Sequence, residues 1–410
     1  MWQANRAALS STRAWESIRL RLRKDNATVL SSAELDAILA QIMTLPMPPV
    51  RLRTDEVGST LMALAQVLPP KSELLVSEFT SVVRHCCKDK LVLTADHLHV
   101  LVPFFLAALS HCPSWYAEQI LTTLSVLLAD NAPAAAAAFA DSIYVAATPH
   151  LSPSSADVGA RYAATTCMAH LVAVADAPPP YFADLWKQIM DNFKQQTRQL
   201  HVDGPRVVWT TNRTHYKSCL ASLQCLLRLM ELDTAASSSG AGPRCGLSLS
   251  TTAMVVGRVP LIDSDSDCSS KHPSQRGIGL AARLRLEVVR ALEVVLHAFP
   301  HLITPTLAQY LPDTTTPCLV LYNGHPSVLT LAVVDPYDQV RLKTLHWLDM
   351  LLPLVNVKAT LSQNFKHAST AFTTTGGALL QMVHQVHVML LHTVQHEHDA
   401  AVLVQAIKVI

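Results

Sequence analysis

The residue pattern of one helix face occurs twice near the end of the chain. Leu284 and Arg285 recur 56 residues later as Val340 and Arg341. The same offset relates an apolar stripe of Val289, Leu292 and Leu296 to one of Leu345, Leu348 and Leu352. Apolar residues at three- and four-residue steps form one face of an α-helix. Because a short helical repeat cannot bury such a face alone, this pattern predicts helices that stack on their neighbours.

Composition extends the helical prediction to the whole chain. Only 12 of the 410 residues are glycine, which disfavours sheets joined by tight hairpins and Gly-rich nucleotide loops. Apolar residues recur at helical spacing from Ser31 onward, in segments separated by Pro, Asp, Asn or Ser. Two of these segments are predicted as separate helices, at 114–129 and 133–147. The predicted fold class is all-α, a HEAT/armadillo-like right-handed helical solenoid interrupted by a disordered linker.

Four segments follow from the pattern. We predict a basic N-terminal helix or cap at 1–30, armadillo/HEAT-like helical repeats at 31–233, and a Ser/Gly/Asp-rich linker at 234–278. A HEAT-like domain follows at 279–410. The linker is predicted to be disordered because its composition cannot bury enough apolar surface to offset chain entropy. The final predicted helix still continues at the last residue, so we expect the last domain to be truncated at its C-terminus.

The turn from Asp335 to Arg341 is the strongest structural site in the sequence. Asp335 can cap the following helix by accepting backbone N–H groups. Pro336 suits the first helical turn, where its missing donor costs nothing. Val340 is expected to pack inward, and Arg341 to reach back to the turn or to an acid of the next repeat.

Two further positions correspond to that turn. Arg285 is the counterpart of Arg341 in the preceding repeat. Arg161 is a looser counterpart, and Ser155 stands where an acid is expected six positions before it. Only the copy at Asp335 keeps the acid among the three, so the polar ladder predicted along the repeats is incomplete.

Candidate chemistry is sparse, and we predict no enzyme activity, no cofactor and no small-molecule substrate. A histidine-rich segment is a candidate zinc site. Zinc needs three or four convergent ligands, so a solvated histidine face is favoured instead. The segment comprises His384, His387, His392, His396 and His398 with Glu397. Cys86 and Cys87 beside His85 suggest a nucleophile. Adjacent helical side chains point about 100° apart, which favours plain core cysteines.

Charge and cysteine content limit the partners and the compartment. With 32 basic and 31 acidic residues, the chain has no large net charge that would attract nucleic acid or an anionic membrane. No uninterrupted apolar run reaches the roughly 18 residues that span a bilayer, so no membrane association is expected. Nine scattered cysteines favour a reduced intracellular compartment, cytoplasmic or nuclear. The basic, Ser/Thr-containing residues 1–24 leave mitochondrial targeting open.

The acidic stretch 263–270 contains a candidate phosphorylation site. Ser264 precedes Asp265 and lies three positions before Asp267, a context that suits acidophilic kinases. Phosphate there would add about −1.5 to −2 charge for an Arg-rich partner to bind. The alternative is a solvated acidic linker.

Short motifs in a shared order resemble the family of HEAT repeat-containing protein 6 through most of the chain. They are found at 111–115, 120–121, 131–133, 160–169, 263–270, 311–314, 331–341, 371–372, 386–387 and 405–408. The resemblance implies an armadillo-like superhelix, an unassigned domain around 260–410 and no catalytic residue or cofactor. It also implies that the chain is an N-terminal portion. The linker here is shorter than in that family and lacks its long charged runs.

The function expected from these observations is a non-enzymatic scaffold that binds an unknown protein partner along stacked helices. One alternative is a nucleic-acid-associated or transport adaptor that uses Arg and Lys along one rim. Near-neutral charge and the absence of an interleaved basic and aromatic patch disfavour nucleic acid. A second alternative is a mitochondrial helical-repeat protein.

Overall fold

The chain is helical wherever its structure is described. A computed structural model describes residues 13–22, 30–47, 54–152, 157–199, 209–237, 280–298, 328–354 and 375–410. These residues form helices and connecting turns, and none of them is in a strand, so the predicted all-α class is confirmed. The chain divides into two compact units, Met1–Tyr181 and Phe182–Ile410. Ser155, Ser264 and nearly all of the predicted linker lie outside the described residues.

The first unit contains helices whose apolar faces pack in alternating rows. They are α1 (13–22), α2 (Ser32–Thr44), α3 (Ser59–Val67), α4 (Glu73–Cys86), α5 (Ala95–His111), α6 (Ala117–Leu151) and α7 (Val158–Ala173). Helix α4 packs against both α2 and α6, while α3 packs against α5. Helix α6 also packs against α5 and α7. Every second helix is therefore a neighbour, as in stacked hairpins.

Capping residues explain where several of these helices begin. The Ser31 hydroxyl accepts the N–H of Glu34 at 3.3 Å, and the Glu34 carboxylate accepts the N–H of Ser31 at 2.8 Å. This reciprocal pair is a capping box, which satisfies two backbone donors that a helix start leaves free. Thr94 and His97 form the same arrangement at the start of α5. Asp157 accepts the N–H of Ala160 at 3.0 Å and begins α7.

Among the described residues of the first unit, three short helical turns join the helices. Thr54–Gly58 is a π-helical turn that runs directly into α3. Cys87–Asp89 and Ser114–Tyr116 are 3₁₀ turns that follow α4 and precede α6. Helix α1 is packed into the unit, because Trp15 is fully buried and its indole N–H donates to the carbonyl of Pro46 at 3.2 Å.

The two helices predicted at 114–129 and 133–147 are one continuous helix, so that prediction is wrong. Helix α6 runs for 35 residues and contains Pro133. A proline inside a helix costs about 3 kcal/mol, and the alanines that follow it are the strongest helix formers. Ser114–Leu151 is the one segment of the described chain long and apolar enough to cross a membrane, with 56% of its most apolar window buried in the protein. Buried core helices of soluble proteins satisfy the same criteria.

The second unit ends in two helical hairpins. Its helices are α8 (Phe182–Gln199), α9 (Trp209–Ser237), α10 (Leu280–Ala298), α11 (Val328–Val334), α12 (Asp338–Leu354), α13 (Thr375–His396) and α14 (Ala400–Val409). Helices α11 and α12 are joined by a three-residue turn, Asp335 to Tyr337, and α13 and α14 by another, Glu397 to Asp399. Helix α12 packs against α10 on one side and α14 on the other, and α11 packs against α13.

Candidate functional site: latches between successive helices

A buried ion pair joins α10 to the turn of the first hairpin. The guanidinium of Arg285 donates from Nε to Oδ2 of Asp335 at 2.6 Å and from Nη2 to Oδ1 at 3.3 Å. Both side chains are completely excluded from solvent. Asp335 Oδ1 also accepts the backbone N–H of Tyr337 at 3.0 Å. One carboxylate therefore fixes the turn and holds the preceding helix.

The same arrangement recurs one hairpin further along. Arg341 on α12 donates from Nε to Oε2 of Glu397 at 2.8 Å and from Nη2 to Oε1 at 3.1 Å. Glu397 Oε1 accepts the backbone N–H groups of His398 and Asp399, each at 2.9 Å. Arg341 also donates from Nη1 to the carbonyl of Asp335 at 2.7 Å. We call each arginine–carboxylate pair an inner latch, and Arg341 physically connects the two.

The two inner latches differ in their electrostatics because they differ in burial. Burial raises the pKa of Asp335, although the charge and hydrogen bonds of Arg285 oppose that effect. Burial by itself would raise the pKa of Glu397. Hydrogen bonds from the N–H of Asp399 and the guanidinium of Arg341 have a larger combined effect, so the pKa of Glu397 is lowered. The Arg341–Glu397 latch retains 14% and 11% side-chain exposure. It therefore lies closer to water than the first latch.

A second polar contact accompanies each inner latch. Lys343 on α12 forms an ion pair with Glu293 on α10. Gln405 on α14 donates from Nε2 to Oδ2 of Asp349 on α12 at 3.1 Å. Lys343 and Gln405 each lie on the later helix of their pair, and the acids that they contact lie on the earlier helix. We call these contacts the outer latches. The α10–α12 and α12–α14 interfaces therefore each carry one inner and one outer latch.

The structure changes the role predicted for the turn. Helix α12 begins at Asp338, so Pro336 lies in the turn before the helix and not in its first turn. The Asp335 carboxylate accepts the N–H of Tyr337, ahead of the helix, and is mainly occupied by Arg285. Val340 is fully buried. Arg341 contacts both predicted destinations, the turn behind it and an acid ahead of it.

Arg161 lies in a related but distinct setting in the first unit. It is buried on α7, four residues after the capping residue Asp157. Burial lowers the pKa of Arg161, and the nearby charge of Asp157 acts in the opposite direction. Asp157 accepts the N–H of Ala160 as the cap of this helix, so its carboxylate acts on Arg161 through charge, two positions after the Ser155 position where an acid was expected.

The histidine-rich segment is spread over one hairpin. His384, His387 and His396 are exposed on α13, and His398 is exposed in the turn that follows. The rings of His392 and His396 lie 4.4 Å apart between centroids. Glu397 is engaged by Arg341. No group of three or more His, Cys, Asp or Glu side chains in the described parts of the chain is placed to hold a metal ion.

The paired cysteines belong to the core of the first unit. Cys86 and Cys87 are both buried. Burial raises the pKa of both thiols, that of Cys87 to about 12, with the charge of Asp130 adding to the effect. A thiol in this state is a poor nucleophile, because the thiolate is the reactive form.

A pair of carboxyl groups between α2 and α4 was missed by the sequence analysis. The pKa of Glu78 is raised to about 7 by burial and by the hydrogen bond and charge of Asp36. Two carboxyl groups in contact cannot both ionise freely, so the Glu78 carboxyl stays partly protonated near neutral pH. No sequence signal marks the pair, since the two residues lie on different helices.

His97 connects α5 to the π-helical turn and to the start of α3. The backbone N–H of Thr94 donates to Nδ1 at 3.3 Å, and Nε2 lies 3.3 Å from the Ser59 hydroxyl. A Cβ atom on Gly58 would approach Cε1 and Nδ1 of the ring to 2.7 Å. The pKa of His97 is lowered, because the effect of burial exceeds the opposing effect of the Asp96 and Asp55 charges. The ring is therefore held neutral in a close-fitting contact.

A family model matches the last part of the chain. Residues 283–410 match a family described as Domain of unknown function (DUF4042). No curated protein matches the chain. The matched region contains all four inner and outer latches.

Proposed function

We propose that the chain is a non-enzymatic protein-interaction scaffold whose helices stack as a HEAT/armadillo-like solenoid. The observation that carries this proposal is the recurrence of both latches, in the same relation, at the α10–α12 and α12–α14 interfaces. A latch that recurs between successive helices fixes their spacing and orientation. Stacked helices held in this way form an extended surface suited to a peptide segment or a partner helix.

The row of α2, α4 and α6 is the recognition face that we propose for the first unit. Ser77 on α4 donates to Oε1 of Gln119 on α6 at 3.0 Å, which links the polar sides of two helices. Asp36 and Glu78 link α2 and α4 in a similar way. Arg84 is half-exposed on α4. The row therefore combines amide, carboxyl and guanidinium groups that can contact the backbone and side chains of a bound segment.

Site-specific photo-crosslinking in the intact protein tests this function. A photoreactive amino acid is placed at Ser81 or Arg84 on the α2–α4–α6 row, and at Asp96 on α5 as the control. We expect one or more partners to be crosslinked reproducibly from the row and not from Asp96. Equal labelling at all three positions, or no reproducible partner, would refute the scaffold. Recovery of nucleic acid, lost steeply between 50 and 200 mM salt, would favour the adaptor.

A further inference from the structure

Two large apolar side chains are exposed where α4 and α6 begin. Leu74, in the first turn of α4, is 63% exposed, and Trp115, in the 3₁₀ turn that leads into α6, is 70% exposed. The rings of Trp115 and Tyr116 lie 6.4 Å apart between centroids. Tryptophan and tyrosine are enriched among the side chains that carry most of the energy of protein–protein binding. Leu74 and Trp115 are therefore candidate anchors for a bound segment.

One hydrogen bond places both side chains on the proposed recognition face, the row of α2, α4 and α6. Ser77 lies one turn after Leu74 and donates to Oε1 of Gln119 at 3.0 Å. Gln119 lies one turn after Trp115, and residues three or four apart share one face of a helix. The thiol of Cys112 also donates to the loop before α4 at 3.6 Å. Leu74 and Trp115 therefore lie at the same end of the row, on its solvent-exposed side.

Carboxylates outnumber cations at this end of the row. Those near the start of the three helices are Glu34, Asp36, Glu73, Glu78 and Glu118. Burial raises the pKa of the Cys112 thiol and the charge of Glu73 adds to the effect, so Glu73 lies near the turn that contains Trp115. Lys71, before α4, and Arg21, near Glu34, offset this charge only in part. This end of the row is therefore acidic as well as aromatic, and it attracts cations.

A guanidinium matches this combination of groups. It is planar, so it can stack on the face of an indole while its N–H groups donate to a carboxylate. The ammonium group of lysine carries the same charge but lacks the plane. An acidic segment would be repelled by the carboxylates, and an apolar segment would cover Glu73 without pairing its charge.

We propose that the segment bound by the α2–α4–α6 row carries an arginine that stacks on Trp115 and pairs with Glu73, next to an apolar residue that packs on Leu74. The inference rests on the proposed function, because it concerns the same row. It adds the chemistry of the partner, for which the exposed indole and the complementary charge are the two independent reasons.

The probe is a dye-labelled pentapeptide with arginine between two leucines, compared with the same peptide carrying lysine or the uncharged citrulline in place of arginine. Fluorescence anisotropy with the intact protein gives each affinity. Incorporated 5-fluorotryptophan reports the location, because the ¹⁹F resonance of Trp115 is the one that Trp115→Phe removes. We expect the arginine peptide to shift that resonance. Lysine should weaken binding about threefold or more, and citrulline should weaken it further.

Two variants at the proposed contact and two matched controls test it. Trp115→Leu and Glu73→Gln should each weaken binding of the arginine peptide about threefold or more. Val145→Leu, at an apolar position of α6 that is 69% exposed, and Asp96→Asn, at an exposed acid of α5, should leave it unchanged. Unchanged helix content establishes that each variant is folded. The proposal is overturned if lysine or citrulline binds as tightly as arginine, if the arginine peptide does not bind, or if Trp115→Leu has no effect.

Failure of this inference and failure of the scaffold give different results. A partner crosslinked from Ser81 or Arg84, together with no binding of the arginine peptide, would refute the arginine contact alone. Peptide binding with no crosslinked partner would refute the scaffold alone. Self-association of the intact protein that Trp115→Leu abolishes would also overturn the inference, because the occupant would then be a second copy.

Discussion

Arg285 and Asp335 form a doubly hydrogen-bonded ion pair from which solvent is completely excluded, although 50 residues separate them along the chain. The first member lies on α10, and the second lies in the turn that precedes α12. Removing one member of such a pair leaves the other buried and uncompensated.

Asp335→Ala should therefore cost about 3–5 kcal/mol of unfolding free energy in the second unit. Loss of a helix cap alone would cost about 1 kcal/mol. Denaturant unfolding followed by hydrogen exchange in α10 and α12 measures the difference. Asp338→Ala, at an exposed position three residues later, is the matched control and should cost less than about 1 kcal/mol. Equal losses for the two variants would show that the ion pair contributes nothing beyond capping.

Arg341→Lys tests whether the second inner latch depends on two parallel hydrogen bonds or on charge alone. Lysine keeps the charge but cannot present the planar fork that contacts both oxygens of Glu397. We expect a loss of about 1–2 kcal/mol, smaller than at Asp335 because this latch is partly exposed. A double-mutant cycle with Glu397→Gln should show coupling. Additive effects of the two changes would contradict a direct interaction.

Gly58→Ala and Gly159→Ala should have opposite effects, although both glycines are helical. Alanine normally stabilises a helix relative to glycine by up to about 1 kcal/mol. At Gly58, the new Cβ would meet the buried ring of His97 at 2.7 Å, so we expect a net loss of about 1–3 kcal/mol. At Gly159, it would meet the carboxylate of the exposed Glu118, which can move aside. Thermal unfolding distinguishes the two, and a stabilising Gly58→Ala would contradict the close packing.

His97→Gln should reduce the acid sensitivity of the first unit. Glutamine is a usual partner in a capping box and does not titrate. Because the folded state lowers the pKa of His97, the unfolded chain takes up the proton first. The stability that this histidine contributes is present above about pH 6.5 and is lost as the pH falls below it. Unfolding from pH 5 to 8 should show a smaller decline for the variant, and parallel curves would exclude His97 as the titrating group.

Glu78→Gln should have the opposite pH dependence. The folded state raises the pKa of Glu78 from 4.5 to about 7, so the folded chain holds a proton that the unfolded chain releases. Stability is therefore lost as the pH rises through that interval. The variant should gain stability relative to the native protein on moving from pH 4.5 to 7.5. Glu73→Gln, at an exposed position on the same helix, should show no such gain.

The sequence by itself determined the class of fold and one element of the site. Periodic apolar residues and scarce glycine predicted helices, because a helix buries one face at a fixed spacing. The 56-residue offset identified Arg285 and Arg341, the two arginines of the inner latches, as equivalent positions. It did not identify their acids, which lie 50 and 56 residues further along the chain.

Only the tertiary structure decided the pairings. Asp335 was predicted to act locally as a cap, but its main partner lies 50 residues earlier. Glu78 and Asp36, and His97 and Gly58, lie on separate elements, and their proximity depends on how those elements pack. Helix α6 likewise continues through Pro133, although the local sequence favours a break. Local pattern fixes which face of a helix is apolar, whereas the environment of each polar side chain is set by the helix that packs against it.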